Sequence, residues 1–165
     1  MSMGFLIDPG EAVVWRGPML MGALQQFMGQ VEWGVLDILL IDLPPGTGDV
    51  QLTLAQRCEL DGAIIVSTPQ DVALIDAKKA MQMFYKLNVP ILGMVENMST
   101  HICSNCGHEE NLFDAGGVQT EANRANVDFL GGIPLDIEIR KASDSGTPLV
   151  LSDFNCSQSD AFIKI

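Results

Sequence analysis

Two cysteines lie close together in a short polar stretch, His101-Ile102-Cys103-Ser104-Asn105-Cys106-Gly107-His108. Thiols at this spacing can reach one metal, and Gly107 allows backbone N–H groups to turn toward the sulfur atoms. Such a pair supplies two ligands, whereas tetrahedral zinc or a cubane cluster needs four. Cys103 and Cys106 are therefore candidate metal ligands, and their site requires a second pair of ligands.

Several interpretations of this pair are open. A two-fold dimer would supply four thiolates by bringing the same loop of each subunit together. Alternatively, His101 and His108 would complete a zinc site, the pair would form a redox dithiol, or the thiols would be unused. A thioredoxin-like motif is associated with a βαβ pattern, whereas this pair follows the polar Asn97-Met98-Ser99. Cys58 and Cys156 have no paired ligand nearby in the sequence and are interpreted as structural.

A second stretch with the residue types of a ligand site is Leu39-Leu40-Ile41-Asp42-Leu43-Pro44-Pro45-Gly46-Thr47-Gly48-Asp49. An apolar strand ending in Asp42 places a carboxylate at the sheet edge where open α/β folds bind ligands. Such a carboxylate can orient the waters that Mg²⁺ usually keeps, and Gly46 and Gly48 allow the loop backbone to approach a phosphate. The alternative is that Asp42 caps the following helix while the glycines form a turn.

Four apolar runs rich in Val, Ile or Leu predict the strands that would position these residues, at 37–41, 62–67, 90–95 and 128–133. These runs are apolar throughout rather than alternating, which is typical of a parallel sheet covered on both faces. The amino-terminal run 4–7 is also predicted as a strand.

Two amphipathic segments predict helices. In the longer one, Asp71 can cap the first turn and Asn88-Val89-Pro90 ends the helix. Its apolar residues recur at helical spacing: Leu74, Ala77, Met81 and Phe84. The other segment runs from Met19 to Met28. The alternation of strands and helices predicts one α/β domain with a doubly wound, mostly parallel sheet and helices on both faces.

Composition restricts the class of partner. Twenty-one acidic and 9 basic side chains give a formal net charge of −12, which repels phosphate backbones, so no nucleic-acid partner is expected. No apolar run approaches the roughly 18 residues of a membrane helix, and the amino terminus lacks a basic signal region. A hydrophobic fraction of 47% indicates a globular core. We therefore predict a cytoplasmic domain that does not bind membranes.

The Leu39–Asp49 stretch resembles the Walker B and switch II segment of Mrp/ApbC-type iron–sulfur cluster carrier ATPases, relatives of the MinD/ParA P-loop NTPases. Further motifs occur in that family's order and spacing: Trp15-Arg16-Gly17-Pro18-Met19, Ser67-Thr68-Pro69-Gln70-Asp71, Val95-Glu96-Asn97-Met98-Ser99, Cys103-Ser104-Asn105-Cys106-Gly107 and Ile133-Pro134-Leu135-Asp136. The resemblance implies that residues 1–165 are a partial P-loop NTPase domain, with Walker B and switch II at 37–49 and a CxxC metal loop at 99–114.

The resemblance also implies roles for single residues. Asp42 would hold the magnesium water, and the γ-phosphate would be sensed by Gly46, Thr47, Gly48 and Asp49. Asn97 would hydrogen-bond the adenine edge and Pro134 would line the base pocket. Without the resemblance, Asn97 is more simply explained as a turn cap. Cys103 and Cys106 would bind a [4Fe–4S] cluster, and zinc is the alternative occupant.

The implied function is ATP-dependent assembly of a [4Fe–4S] cluster by a homodimer and its transfer to apo iron–sulfur proteins. The glycine-rich phosphate loop that precedes Lys and Ser/Thr in P-loop NTPases occurs before none of the lysines here. In the family that loop lies upstream, so the chain is interpreted as the carboxyl-terminal portion of an ATPase, inactive alone. The alternatives are a non-enzymatic metal-binding or scaffold module and a MinD/ParA-like partitioning ATPase.

Overall fold

The computed structural model describes residues 1–6, 8, 17–44, 46, 48–103 and 105–165. The chain divides into two compact units, Met1–Glu59 and Leu60–Ile165, which are described separately. That residues 1–165 form a single domain stays a prediction. Among the described residues, no helix is long and apolar enough to span a membrane.

The described residues of the first unit form a 3₁₀ helix, two α-helices and irregular chain. After a 3₁₀ helix at Met3–Leu6, helix α1 spans Gly17–Gly29 and helix α2 spans Asp49–Arg57. The two α-helices pack against each other. The helix predicted at 19–28 is confirmed within α1, whereas the strand predicted at 4–7 is wrong for residues 4–6, which are helical. Residue 7 lies outside the described residues.

The segment 37–41 does not form the predicted strand, and no strand in the described part of the chain pairs with it. The side chains of Ile38 and Leu40 are 76% and 86% exposed. A strand is held by backbone hydrogen bonds to a neighbouring strand, and an apolar run does not itself provide that neighbour. Asp42 therefore follows irregular chain in this structure rather than the end of a strand.

The second unit is built on a parallel sheet of strand order β1-β2-β5. Its first elements are β1 (Ala63–Ser67), α3 (Asp71–Lys86), β2 (Ile91–Asn97), α4 (Gly117–Ala125) and β5 (Phe129–Ile133). The strands predicted at 62–67, 90–95 and 128–133 are confirmed, and so is the mostly parallel α/β class. Because the strands are parallel, their carboxyl ends meet at one edge of the sheet.

Helix α3 has the buried face that the sequence predicts, but its N-cap is Gln70, and Asp71, the predicted cap, is the first helical residue and makes no capping bond. It ends just before Asn88, whose φ of 57° is the left-handed conformation that terminates helices. The buried side chains of α3 include all four predicted positions, Leu74, Ala77, Met81 and Phe84. They pack toward β1 and β2. Helical spacing was enough to predict this helix because the apolar residues and the residues that end the helix indicate the same segment.

Successive residues of β2 face opposite sides of the sheet. Glu96, 2% exposed, points to α4, where its carboxyl oxygens accept the backbone N–H groups of Gly116 and Val118 at 3.1 and 3.0 Å. Gly131, the register partner of Val95, faces the other side, where a Cβ would lie 3.2 Å from the Ile165 side chain. The sheet is therefore covered on both sides at β2 and β5.

The chain after β5 forms helices α5 (Ile137–Ser145), α6 (Leu149–Ser152) and α7 (Ser157–Ile163). Asp136 caps α5 by accepting the backbone N–H of Glu138 at 2.7 Å. Its second carboxyl oxygen accepts the side-chain N–H of Gln158 at 2.9 Å, which ties α7 to the start of α5. Burial raises the pKa of the Asp136 carboxyl, but the bonds from Gln158 and the α5 backbone outweigh it and lower the pKa.

Replacing Glu96 is expected to destabilise the second unit in a graded way. Glu96→Ala leaves the N–H groups of Gly116 and Val118 without their acceptors, which is expected to lower the free energy of unfolding by about 2 kcal/mol. Glu96→Gln keeps one acceptor oxygen and is expected to cost less. Urea unfolding measures both changes, and Glu110→Gln, at an exposed position, is the control. Wild-type stability of Glu96→Ala would contradict the prediction.

Candidate functional site

The two cysteines lie in the turn of a short hairpin. Its strands, β3 (His101–Ile102) and β4 (Glu109–Glu110), pair antiparallel. The backbone N–H of Cys103 donates to the His108 carbonyl at 2.9 Å. Gly107 donates its N–H to the Cys103 carbonyl at 2.8 Å and has a φ of 70°, which glycine adopts without strain. This turn, called the cysteine hairpin below, comprises residues 101–110.

Hydrogen-bond donors surround the sulfur of Cys103. The backbone N–H groups of Asn105 and Cys106 donate to it, and the Cys106 side chain is a further hydrogen-bond partner. These bonds lower the pKa of the Cys103 thiol, because they stabilise the thiolate. Cys103 is half-buried and Cys106 is exposed. Thiolate is the form that binds soft metals, so this donor set fits a metal or an iron–sulfur cluster as cargo.

Within the described residues, no group of three or more His, Cys, Asp or Glu side chains is arranged to hold a metal ion. The zinc site completed by His101 and His108 is therefore not formed here. The ring Nδ1 of His101 instead lies 3.1 Å from the Leu135 carbonyl oxygen. Cys156 caps α7, where its sulfur accepts the backbone N–H of Ser159 at 3.4 Å. The cysteine pair thus offers two ligands.

Asn97 and Pro134 lie close to each other at the carboxyl edge of the sheet. Asn97 is in register with Ile133, the residue before Pro134, and both candidates are half-buried. The side-chain oxygen of Asn97 accepts the backbone N–H of Met98 at 3.0 Å. Asn97 therefore caps its own turn, which was the simpler interpretation from sequence. Its contact with a nucleotide base stays a prediction.

The base of the cysteine hairpin is bonded to the segment that carries Pro134. The backbone N–H of Ser99 donates to the Ile133 carbonyl at 2.9 Å, and that of Leu135 donates to the Thr100 carbonyl at 2.7 Å. The His101 ring then bonds the Leu135 carbonyl. Sequence reasoning missed this connection, since neither segment carries a signal for the other.

The candidate phosphate residues lie in the first unit, before and at the start of α2. Asp42 is exposed, Gly46 has a φ of 94°, Gly48 is the N-cap of α2 and Asp49 is its first residue. Thr47 lies outside the described residues. A helix start presents unpaired backbone N–H groups, which is the arrangement that attracts anions.

Helix α2 is bonded to Pro44, which precedes it in the chain. The buried side chain of Gln51 donates its amide N–H to the Pro44 carbonyl oxygen. Sequence analysis did not identify Gln51, whose only signal is a glutamine on the inner face of an amphipathic helix.

The lowered pKa of Cys103 predicts early alkylation as pH rises. In the metal-free chain, iodoacetamide is expected to label Cys103 with a midpoint below the ordinary cysteine value of about 8.5. Peptide mass spectrometry across a pH series measures the labelling of each cysteine. Gly107→Ala, which strains the turn, is expected to raise that midpoint toward the ordinary value. A Cys103 midpoint at or above the ordinary value would contradict the bonding described.

Comparisons with known proteins identify the relatives of this chain. All residues, 1–165, match the family described as ParA, NUBPL iron-transfer P-loop NTPase. The iron–sulfur cluster carrier protein of Pseudomonas fragi is 54% identical over 155 residues, covering 94% of this chain and 54% of that protein. The iron–sulfur cluster transfer protein NUBPL of Mus musculus is 48% identical over 165 residues, covering 100% and 52%. The chain thus spans about half the length of these relatives.

Solved structures agree with the fold. A nucleotide-binding protein of Archaeoglobus fulgidus, in complex with ADP, is 37% identical with a TM-score of 0.75, covering 96% of this chain and 59% of that one. The cell division ATPase MinD of Pyrococcus furiosus is 26% identical with a TM-score of 0.60, covering 78% and 49%. The resemblance to Mrp/ApbC-type carriers and their MinD/ParA relatives is confirmed. The chain therefore belongs to the ParA family of NUBPL iron-transfer P-loop NTPases.

Proposed function

We propose that this chain carries the cluster-binding part of an ATPase that assembles a [4Fe–4S] cluster and delivers it to apo iron–sulfur proteins. The observation that carries the proposal is the Cys103 sulfur, bonded by two backbone N–H groups and neighboured by the Cys106 thiol. The curated relatives named as iron–sulfur cluster carrier or transfer proteins support a cluster as the cargo. Zinc would compete for the same thiolates in a protein purified in air.

The ligand count supports a shared site. The Cys103–Cys106 pair offers two thiolates, and a [4Fe–4S] cluster takes four, so a homodimer with one cysteine hairpin from each subunit would complete it. Cys106 is exposed, which places the pair where a second subunit can reach it. A cluster held at a surface by two thiolates per subunit is also accessible to the thiols of a recipient. This accessibility suits a protein that must release its cluster to a recipient.

Two sets of nucleotide contacts are proposed. Asp42 would orient a magnesium-bound water, and the residues proposed to sense the γ-phosphate are Gly46, Thr47, Gly48 and Asp49. The start of α2 supports this role, because helix starts attract anions. Asn97 and Pro134 would contact adenine, supported by their closeness at the sheet edge. Since the Asn97 oxygen is bonded to Met98, the amide N–H₂ would meet an acceptor of the base.

A second candidate function is a metal-binding or scaffold module without ATP hydrolysis. The observation that favours it is the absence, from the 165 residues, of a glycine-rich loop followed by Lys and Ser/Thr. A partitioning function of the MinD/ParA kind is less well supported, because a net charge of −12 opposes binding to DNA or anionic lipid. A cytoplasmic location stays a prediction.

The cluster proposal predicts different behaviour for the two kinds of cysteine. After anaerobic reconstitution, Cys103→Ala and Cys106→Ala are expected to lose the broad iron–sulfur absorption, because each removes a thiolate ligand. Cys58→Ala and Cys156→Ala are matched controls and are expected to retain it. One cluster shared by two chains gives about two irons per chain. A full cluster on Cys103→Ala, or a complete cluster on a monomer by native mass spectrometry, would refute the shared site.

We predict that this chain alone hydrolyses ATP at a negligible rate. The chain offers no phosphate-loop lysine, and such contacts supply much of the charge stabilisation in phosphoryl transfer. Phosphate release with ATP and Mg²⁺ is the measurement, with Asp42→Ala as the matched variant. Turnover by the wild-type chain that Asp42→Ala abolishes would contradict the prediction.

A further inference from the structure

We propose that His101 is a positioning residue for the two cysteines. Its ring holds the base of the cysteine hairpin to Leu135, so that the hairpin and the segment 133–136 move together. The inference rests on the proposed function, since it assigns His101 a part in holding and releasing the cluster. His101 would not touch the metal, and it would act through the orientation of Cys103 and Cys106.

The bond from the His101 ring depends on the type of the side chain. A carbonyl oxygen can only accept, so the ring Nδ1 carries the proton and donates it to the Leu135 oxygen at 3.1 Å. The other contacts at the hairpin base use backbone N–H groups, which nearly any residue would provide. The Ser99 hydroxyl, 3.1 Å from the Ile133 oxygen, duplicates the bond made by the Ser99 N–H. Leu135 is also held by its own N–H bond to the Thr100 carbonyl, and the His101 ring adds a side-chain bond to the carbonyl of the same residue.

The position of the ring explains why this bond matters for the cysteines. Each strand of the hairpin is two residues long, His101–Ile102 and Glu109–Glu110, so the direction of the hairpin depends on the bonds at its base, those of Ser99, Leu135 and the His101 ring. The half-buried ring stands two residues before Cys103. A small rotation at this base would move both sulfur atoms. Four thiolates from two subunits must converge on one cluster, so such a rotation would loosen its binding.

The carbonyl that the ring bonds belongs to Leu135, the residue before Asp136, which is the N-cap of α5. The ring bonds the Leu135 carbonyl, and the next residue, Asp136, caps α5 and accepts the Gln158 side chain of α7. His101 therefore links the cysteine hairpin to two carboxyl-terminal helices as well as to the segment of Pro134. A displacement of that segment, such as a bound base would cause, would be transmitted to the hairpin through this link.

A set of variants separates the hydrogen bond from the ring itself. His101→Ala removes both, and His101→Phe keeps a ring without a donor. His101→Asn places an amide nitrogen close to the position of Nδ1, so it can restore the bond. His108→Ala is the matched control, because His108 is exposed and stands two residues after Cys106, as His101 stands two before Cys103.

The first measurement is cluster release from the reconstituted chain to an iron chelator, with the visible circular dichroism of the cluster recorded beforehand. His101→Ala and His101→Phe are expected to release the cluster about fivefold faster, as the loss of one neutral hydrogen bond would produce. Their dichroism should also change, since it reports the orientation of the ligands. His101→Asn and His108→Ala should match the wild-type chain in both readouts.

The second measurement needs no cluster and therefore separates this inference from the proposed function. Hydrogen exchange at the backbone N–H of Leu135 and Cys103 should accelerate in the metal-free His101→Ala and His101→Phe chains but not in His101→Asn. If the chain binds no cluster while exchange follows this pattern, the proposed function fails and the anchoring role stands. The inference is overturned if His101→Asn behaves like His101→Ala, or if His101→Ala exchanges and releases as the wild type does.

Discussion

The carboxyl group of Glu96 is buried where β2 ends, and the first backbone N–H groups of α4 donate to it. A buried carboxyl group must find such donors, and a helix start has unpaired N–H groups to offer, so each satisfies the other. The contact also fixes where the chain must return after the cysteine hairpin. Gly117 reinforces it, since a Cβ there would lie 2.7 Å from the Pro69 carbonyl oxygen. Helix α4 consequently packs close to the β1–α3 connection.

Parallel pairing explains why so many candidate residues of the second unit share one edge. The carboxyl ends of β1, β2 and β5 are adjacent, so parallel pairing alone brings together the residues that follow β2 and β5. This geometry brings together Asn97, Pro134 and the base of the cysteine hairpin. Backbone hydrogen bonds continue the β2–β5 pairing past the sheet, from Ser99 to Leu135. The hairpin therefore extends from the sheet edge and is hydrogen-bonded to it at its base.

Sequence was informative where a feature depends on neighbours along the chain. The buried face of α3, the stop at Asn88 and the three paired strands were predicted because spacing and composition are local signals. The cysteine pair was recognisable from its spacing, but the N–H groups that surround Cys103 depend on the turn conformation. The run 37–41 was misjudged because apolar composition reports a tendency to be buried and does not identify a partner strand.

Contacts between distant residues were not predictable in the same way. Glu96 bonds residues 20 and 22 positions away, and His101 bonds a carbonyl 34 positions away. A glutamate within an apolar run signals an unusual strand end but not its partner. His101 is a candidate zinc ligand from its place beside the cysteines, whereas its ring is hydrogen-bonded to the Leu135 carbonyl of another segment. Pairings of this kind follow from topology, which single residues do not encode.

The segment between Asn97 and Gly117 is held by hydrogen bonds at both ends. The Ser99 and Leu135 bonds hold its beginning, and the bond from Gly116 to Glu96 holds its end. The residues between these bonds contribute little to the buried core, since most residues from 105 to 115 are exposed. The entropy of closing a loop grows only slowly with its length. The turn can therefore gain, lose or exchange residues over evolution while the sheet and α4 keep their places, and metal preference can diverge without a change of fold.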